Sequence, residues 1–218
     1  HRQVKPGELT DVQLRFLERF FEEEVLSILS PLAVSEDAPF PLLTDGWLHL
    51  CVRLEGPAGA GAPDRFALLP LGRWLPRFIS LPVDEGVAWV LLEDAVTLLI
   101  DRFFENCRIL ECVPLRIIRN ADYSLREDLA TDLLSKIEEV LDQRKLGECV
   151  RLEVTREASE QTISFLRRML CIAPEDVHVL AGPLDLAAFS SLAGRSGFEN
   201  LKYDTRNPQL TPRVAPGV

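Results

Sequence analysis

Residues 47 to 54 read WLHLCVRL, a strict alternation with Leu48, Leu50, Val52 and Leu54 on one side and Trp47, His49, Cys51 and Arg53 on the other. A period of two places successive side chains on opposite faces of an extended strand, so this stretch predicts a half-buried strand. Its leucine face must be covered by a second layer, and its edges must be paired by other strands. The chain supplies candidates at Arg65 to Leu71, "VAWVLL" at 87 to 92, "RILECVPLRII" at 108 to 118, Val150 to Val154 and Val177 to Ala181.

Helical patterns flank and separate these runs. Thr10 and Gln13 form a T-x-x-Q capping box, after which Leu14, Leu17, Phe21, Val25 and Ile28 recur at helical spacing until Ser30-Pro31. Glu22-Glu23-Glu24 point around that helix rather than converging, so they read as a solvated face and not as a carboxylate site. Glu93-Asp94 place acid in the first turn of a helix whose Val96, Leu99, Ile100 and Phe103 share a face. Ser124 and Glu127 open another capped helix that stops at Gly147; Ser159 to Leu170 and Leu186 to Leu192 complete the set. Strands first, then strand and helix in alternation, predict an α+β fold: one mixed β-sheet with helices packed on both faces, preceded by an N-terminal amphipathic helix.

Two stretches read as punctuation. In "SPLAVSEDAPFPLL", residues 30 to 43, Pro31 ends the helix and Pro39-Phe40-Pro41 locks the backbone around Phe40, the signature of a rigid joint. "GPAGAGAP", residues 56 to 63, reads as a hairpin tip and lacks the Gly-Lys-Ser or Gly-Lys-Thr ending of a phosphate cradle.

The 34 acidic residues exceed the 24 basic ones, and the formal net charge of −10 opposes nonspecific binding to nucleic acid or an anionic membrane. No apolar run approaches the ~18 residues needed to span a bilayer. Five cysteines without a C-x-x-C pair favour a reducing compartment, and three scattered histidines offer no metal-ligand spacing. The start at His1-Arg2-Gln3, without Met, and the Pro-containing tail after Thr211 lead us to expect a piece of a longer chain.

Several segments, in order, resemble the middle or head domain of bacterial polyphosphate kinase. They are "FFEEEVLSILSPLAV", "PFPLL", "LPRFISLP" at 75 to 82, "LLED" at 91 to 94, "RIIRNAD" at 116 to 122, "ATDLLSKIEEVLDQRKLGECVRLEV" at 130 to 154, "GPLDL" at 182 to 186, "LKY" at 201 to 203 and "TPR" at 211 to 213. Ala38 departs from a usual His, and Asp45-Gly46 replaces a stretch that usually contains Asn. The resemblance implies a parent enzyme that moves the terminal phosphate of ATP onto polyphosphate through a phosphohistidine, with Mg²⁺. It also implies that the head domain serves dimer and interdomain contacts, while the phosphorylated His lies in C-terminal domains. The expected divisions are an N-terminal helix and junction at 1–30, the head domain at 31–205 and a linker tail at 206–218.

His49 and His178 sit in strand patterns, and no His-x-Lys occurs, so no catalytic residue, metal or cofactor site is assigned to this chain. Arg116, Arg119 and Asn120 form the polar cluster expected to touch polyanion or a neighbouring domain, against the plainer reading in which Arg119 pairs with Asp122 and Asn120 caps the turn. Trp47, Trp74 and Phe78 are the candidates for burial against a partner. Expected partners are the other domains of the parent, a second copy of the chain, and ATP and polyphosphate through the parent. The expected location is the cytoplasm, any membrane association belonging to the parent. A standalone noncatalytic interaction module is the alternative.

Overall fold

Thr10 caps the first helix as its spelling predicts. Its Oγ1 accepts from the Gln13 backbone N–H at 3.3 Å, and Gln13 Oε1 accepts from the Thr10 N–H at 3.1 Å. Helix α1 then runs over Asp11–Phe20, the backbone widens into a π-helical turn over Phe21–Val25, and α2 adds a last turn at Leu26–Ile28. The wide turn has a cause in the sequence. Leu17, Phe21, Val25 and Leu29 are all buried at four-residue steps, and each such step overshoots a full α-helical turn by roughly 40°. The stripe would therefore spiral off the core, and a turn with more residues brings it back. Ile28, expected inward, is instead 41% exposed, and Leu29 replaces it.

The computed structural model describes residues 2–34, 39–56, 63–120, 147–194 and 202–203. Its strands form two sheets where the sequence suggested one. A small sheet has the order β1-β6-β5, from Arg2–Gln3, Ala88–Leu91 and Phe78–Leu81. The large sheet, in the order β2-β4-β3-β7-β8-β9, comprises Leu32–Val34, Arg65–Pro70, Leu48–Leu54, Ile109–Arg119, Cys149–Thr155 and Val177–Leu180. The large sheet is antiparallel except for the β8–β9 pair, so it is mixed as expected. Pro31 leads directly into β2, an edge strand the sequence reading missed; Phe40 of the Pro-Phe-Pro stretch packs half-buried against the core. Pro114 sits inside β7 without breaking it because β3 pairs with residues 109–116 and β8 only with 115–119. On the β8 side the ladder begins only at Leu115, so Pro114 lies outside that pairing.

Strand β3 is buried on both faces, not one. Leu48, Leu50, Val52 and Leu54 join a core with Leu17, Phe21 and the small sheet, while Cys51 faces a second core with Leu115, Val154 and Leu166. Helix α3, Leu92–Leu98, belongs to the first layer, and α4, Glu160–Leu170, covers the second, so helices do lie on both faces. Phe66 and Phe165 stack with ring centroids 3.6 Å apart. Helix α4 is anchored by Glu111 of β7, which accepts from the Ser159 N–H at 2.6 Å, Ser159 Oγ at 2.6 Å and Thr162 Oγ1 at 2.7 Å. Burial pushes the Glu111 pKa up, but these hydrogen bonds and the Arg53 charge outweigh it and hold the carboxyl below its ordinary range.

The chain divides into two compact units, His1–Asp185 and Leu186–Val218. The first holds α1 and both sheets. The second contains a 3-10 turn, Leu186–Phe189, that continues into α5, Ser190–Ala193. The expected helix opened by Ser124, the hairpin tip at 57–62 and the tail at 206–218 lie outside the described residues. Among those described, no helix is long and apolar enough to cross a membrane.

Phe21 is 2% exposed and meets Phe103 edge-on at 5.4 Å. Phe21→Ala should cost about 3 to 5 kcal/mol by chemical denaturation. Val12→Ala on the same helix, at a site 57% exposed, should stay within about 0.5 kcal/mol.

Candidate functional site

The connection from β4 to β5 carries the most exposed tryptophan of the first unit. Trp74 is 65% exposed, and its ring meets Trp47 edge-on with centroids 5.1 Å apart. Gly72 makes this possible. Its φ is +63°, and a Cβ there would overlap the Trp74 ring and lie 3.2 Å from Trp47, so glycine is required for both conformation and space. Trp47 is half-buried. Phe78, also half-buried, packs edge-on against buried Trp89 at 5.1 Å. The three aromatics thus grade from core to surface, with Trp74 outermost.

The Arg116, Arg119 and Asn120 cluster stitches the turn before β3 to the β7–β8 pair. Arg116 Nε donates to Gly46 O at 2.9 Å, and its Nη1 lies 3.4 Å from Glu153 Oε2. Arg119 donates its backbone N–H to Asp45 Oδ1 at 2.8 Å, Nη1 to Gly147 O at 2.6 Å and Nε to Leu43 O at 3.4 Å. The Asn120 N–H donates to Glu148 O at 2.9 Å. Asp122, the partner considered for Arg119, lies outside the described residues.

A third grouping escaped sequence reasoning. Arg77 donates from Nη2 to Glu93 Oε1 at 2.6 Å and from Nε to Glu93 Oε2 at 3.3 Å. Its Nη1 reaches Asp185 O at 2.9 Å and Asp185 Oδ2 at 3.2 Å, and Nη2 also reaches Leu184 O. Arg77, Glu93 and Asp185 come from "LPRFISLP", "LLED" and "GPLDL", three strings that carried the family resemblance without an assigned role. The signal was there, in a buried-strand run ending in acid, but nothing local says which cation answers it.

Glu93 stands between two hollows. A small pocket of about 40 Å³ lies toward Trp47, Gly72 and Leu75, and a cavity of about 400 Å³ lies toward Lys5, Asp94, Thr155 and Pro183. Burial, and then the neighbouring Glu93 charge, push the Asp94 carboxyl up to about 6.

His49 is fully buried, with Nδ1 3.0 Å from Trp47 O. That contact places the proton on Nδ1, since a carbonyl only accepts. Burial holds the His49 pKa down to about 4, so the ring is neutral near pH 7. His178 is half-buried on β9; His1 lies outside the described residues. Among the described residues no group of three or more His, Cys, Asp or Glu is arranged to hold a metal ion.

What these elements define is an α+β module built around two sheets, with an arginine-locked centre and an aromatic rim. A family model described as the polyphosphate kinase middle domain matches residues 12–192. The polyphosphate kinase of Rhodopirellula baltica is 33% identical over 98% of this chain and 33% of its own length. That of Exiguobacterium sibiricum is 36% identical over 97% of this chain and 30% of its own. The crystal structure of polyphosphate kinase from Porphyromonas gingivalis superposes with a TM-score of 0.72 at 21% identity, covering 96% of this chain and 29% of that one, and bears on the fold. The chain belongs to the polyphosphate kinase family, as its middle domain. It spans about a third of the length of the curated relatives it matches.

His49 and Asp94 act in opposite directions on acidification. Between pH 6.5 and about 4 the unfolded state binds a proton at His49 that the folded state does not, so stability falls as pH drops, by about 3 kcal/mol. Between about pH 6 and 3.8 the folded state binds a proton at Asp94 that the unfolded state does not, so stability rises as pH drops. Asp94→Asn removes the second effect. Its denaturation midpoint should fall more steeply than that of the parent between pH 6 and 4; equal slopes would contradict the Asp94 assignment.

Proposed function

We propose that this chain is the middle segment of an enzyme that transfers the terminal phosphate of ATP to polyphosphate, and that the segment itself is a scaffold for dimer and interdomain contact. Family membership over nearly the whole chain supports the parent activity. ATP, Mg²⁺ and polyphosphate are then handled by other parts of the parent, which works in the cytoplasm.

The observation that carries the contact role is Trp74. A large aromatic held two-thirds in solvent over an obligatory glycine loses little by moving and gains its remaining area when a partner covers it. Arg116 and Arg119, whose guanidinium groups already brace the turn at 43–46, fit better as supports of this surface than as a polyphosphate track. Arg73, exposed beside Trp74, gives its rim a positive charge.

Trp74→Ala in the full parent enzyme should weaken dimerisation by about tenfold or more in sedimentation, with a melting temperature within a few degrees of the unaltered protein. A large loss of stability with unchanged association would place Trp74 in the fold's own packing and defeat the contact role.

A further inference from the structure

Arg116, Glu153 and His178 stand side by side across β7, β8 and β9, each the cross-strand neighbour of the next. Arg151 pairs with Ile118 and lies two residues before Glu153, on the same side of the sheet. Glu153 is 7% exposed, and both arginines converge on it: Arg151 Nε donates to its Oε1 at 2.9 Å, and Arg116 Nη1 donates to its Oε2 at 3.4 Å. Two guanidinium groups and one carboxylate leave one positive charge over, in a chain whose net charge is −10. Glu93 and Asp185, which share a pocket wall with Gly46, do not answer it, since both are taken up by Arg77. Asp45 of the same turn accepts from the Arg119 N–H.

The donors left over are within reach of a ligand. Arg151 uses only Nε, and its side chain is 42% exposed. Arg116 uses Nε for Gly46 O and Nη1 for Glu153, and its side chain is 24% exposed. Among the described residues nothing accepts from Arg116 Nη2 or from either Nη of Arg151, and none of these nitrogens is sealed from solvent. Two cations drawn onto one acceptor repel each other, and an anion between them removes that repulsion. Glu153 also orients both guanidinium groups before a ligand arrives, so less side-chain freedom is lost on binding.

We propose that this face binds one oxyanion of the phosphate class, its oxygens accepting from Arg116 Nη2 and from an Arg151 Nη group. His178, half-buried and next in the row, adds a third side chain with an imidazole N–H to donate. The donors sit on separate side chains and carry excess positive charge. Both features favour a phosphate dianion over a planar carboxylate, which has less charge and only two oxygens. Three side chains around a single carboxylate suit one phosphoryl group rather than a run of them. Arg116 meanwhile keeps its bracing bond to Gly46 through Nε.

The test is a titration of the chain with inorganic phosphate at constant ionic strength, followed by ¹H–¹⁵N NMR of backbone amides and of the arginine Nε–H groups. Acetate serves as the planar monoanion, and phenyl phosphate as the same group on a larger body. Saturable shifts are expected at the Nε–H of Arg116 and Arg151 and at the amides of Ile117, Leu152 and His178. Phosphate should bind about tenfold tighter than acetate, and Arg151→Gln, at a half-exposed side chain, should weaken phosphate about fivefold or more. Tighter binding of phenyl phosphate than of phosphate would assign the site to a phosphorylated organic molecule and the reverse order to the free anion; both support it. No saturable shift at these groups up to tens of millimolar phosphate would overturn the proposal. Equal binding of acetate would do the same, and that comparison is made on the unaltered chain. Unchanged phosphate affinity in folded Arg151→Gln would also defeat it.

Discussion

One arginine ties together three segments of this domain that are distant in sequence. All five N–H donors of the Arg77 guanidinium are engaged: two by Glu93, two by Asp185 and one by the Leu184 carbonyl. The Arg77 side chain is 13% exposed and that of Glu93 4%, so this pair is screened little by solvent. Such a pair is not a large source of net stability, because both charges lose their hydration. Its importance is that neither partner can be removed alone: an uncompensated charge left inside typically costs 3 to 5 kcal/mol. Asp185 also holds a left-handed backbone with φ +49°, a conformation that L-residues visit at a cost. The Arg77 bonds to its carbonyl and carboxylate offset that cost, fixing the end of the first unit against the start of α3.

Around this centre the layers follow from β3. A strand covered on both faces cannot be half polar, so every group on its second face must be apolar, neutral or matched. Cys51 behaves as a small hydrophobe. His49 gives up its charge and keeps one hydrogen bond, to Trp47 O. Arg53, nearer the strand end, keeps its charge by reaching Asp64 and Glu111, each at 3.1 Å. Glu111 in turn holds Ser159, the N-cap of α4, so the charge at the edge of β3 also anchors the helix that covers it. The same logic removes His49 from chemistry, since a nucleophilic imidazole needs access and a pKa near its working pH.

Periodicity and capping made the larger elements legible. The T-x-x-Q box, the alternation at 47–54 and the long extended run ending at Arg119 all describe local causes with local consequences. The α+β class and the coverage of both faces followed from their order. What stayed hidden depends on tertiary partners. Strand β1 has two residues and β2 three, too few to show a period, and each exists because a neighbour supplies its ladder. The division into two sheets is a choice of pairing that no single strand records. Arg77 is 16 residues from Glu93 and 108 from Asp185, so its partners could not be read from spacing. The strings that carried the family resemblance did mark all three residues; only their convergence was missing.

The central claim is that this domain organises a phosphoryl-transfer enzyme without carrying the transferred group. The most direct measurement is to incubate the chain with Mg²⁺ and γ-labelled ATP, quench in alkali, and count acid-labile, alkali-stable phosphate on the protein. The account predicts no stoichiometric label and no polyphosphate. A phosphohistidine approaching one per chain, mapped to His49 or His178, would contradict it.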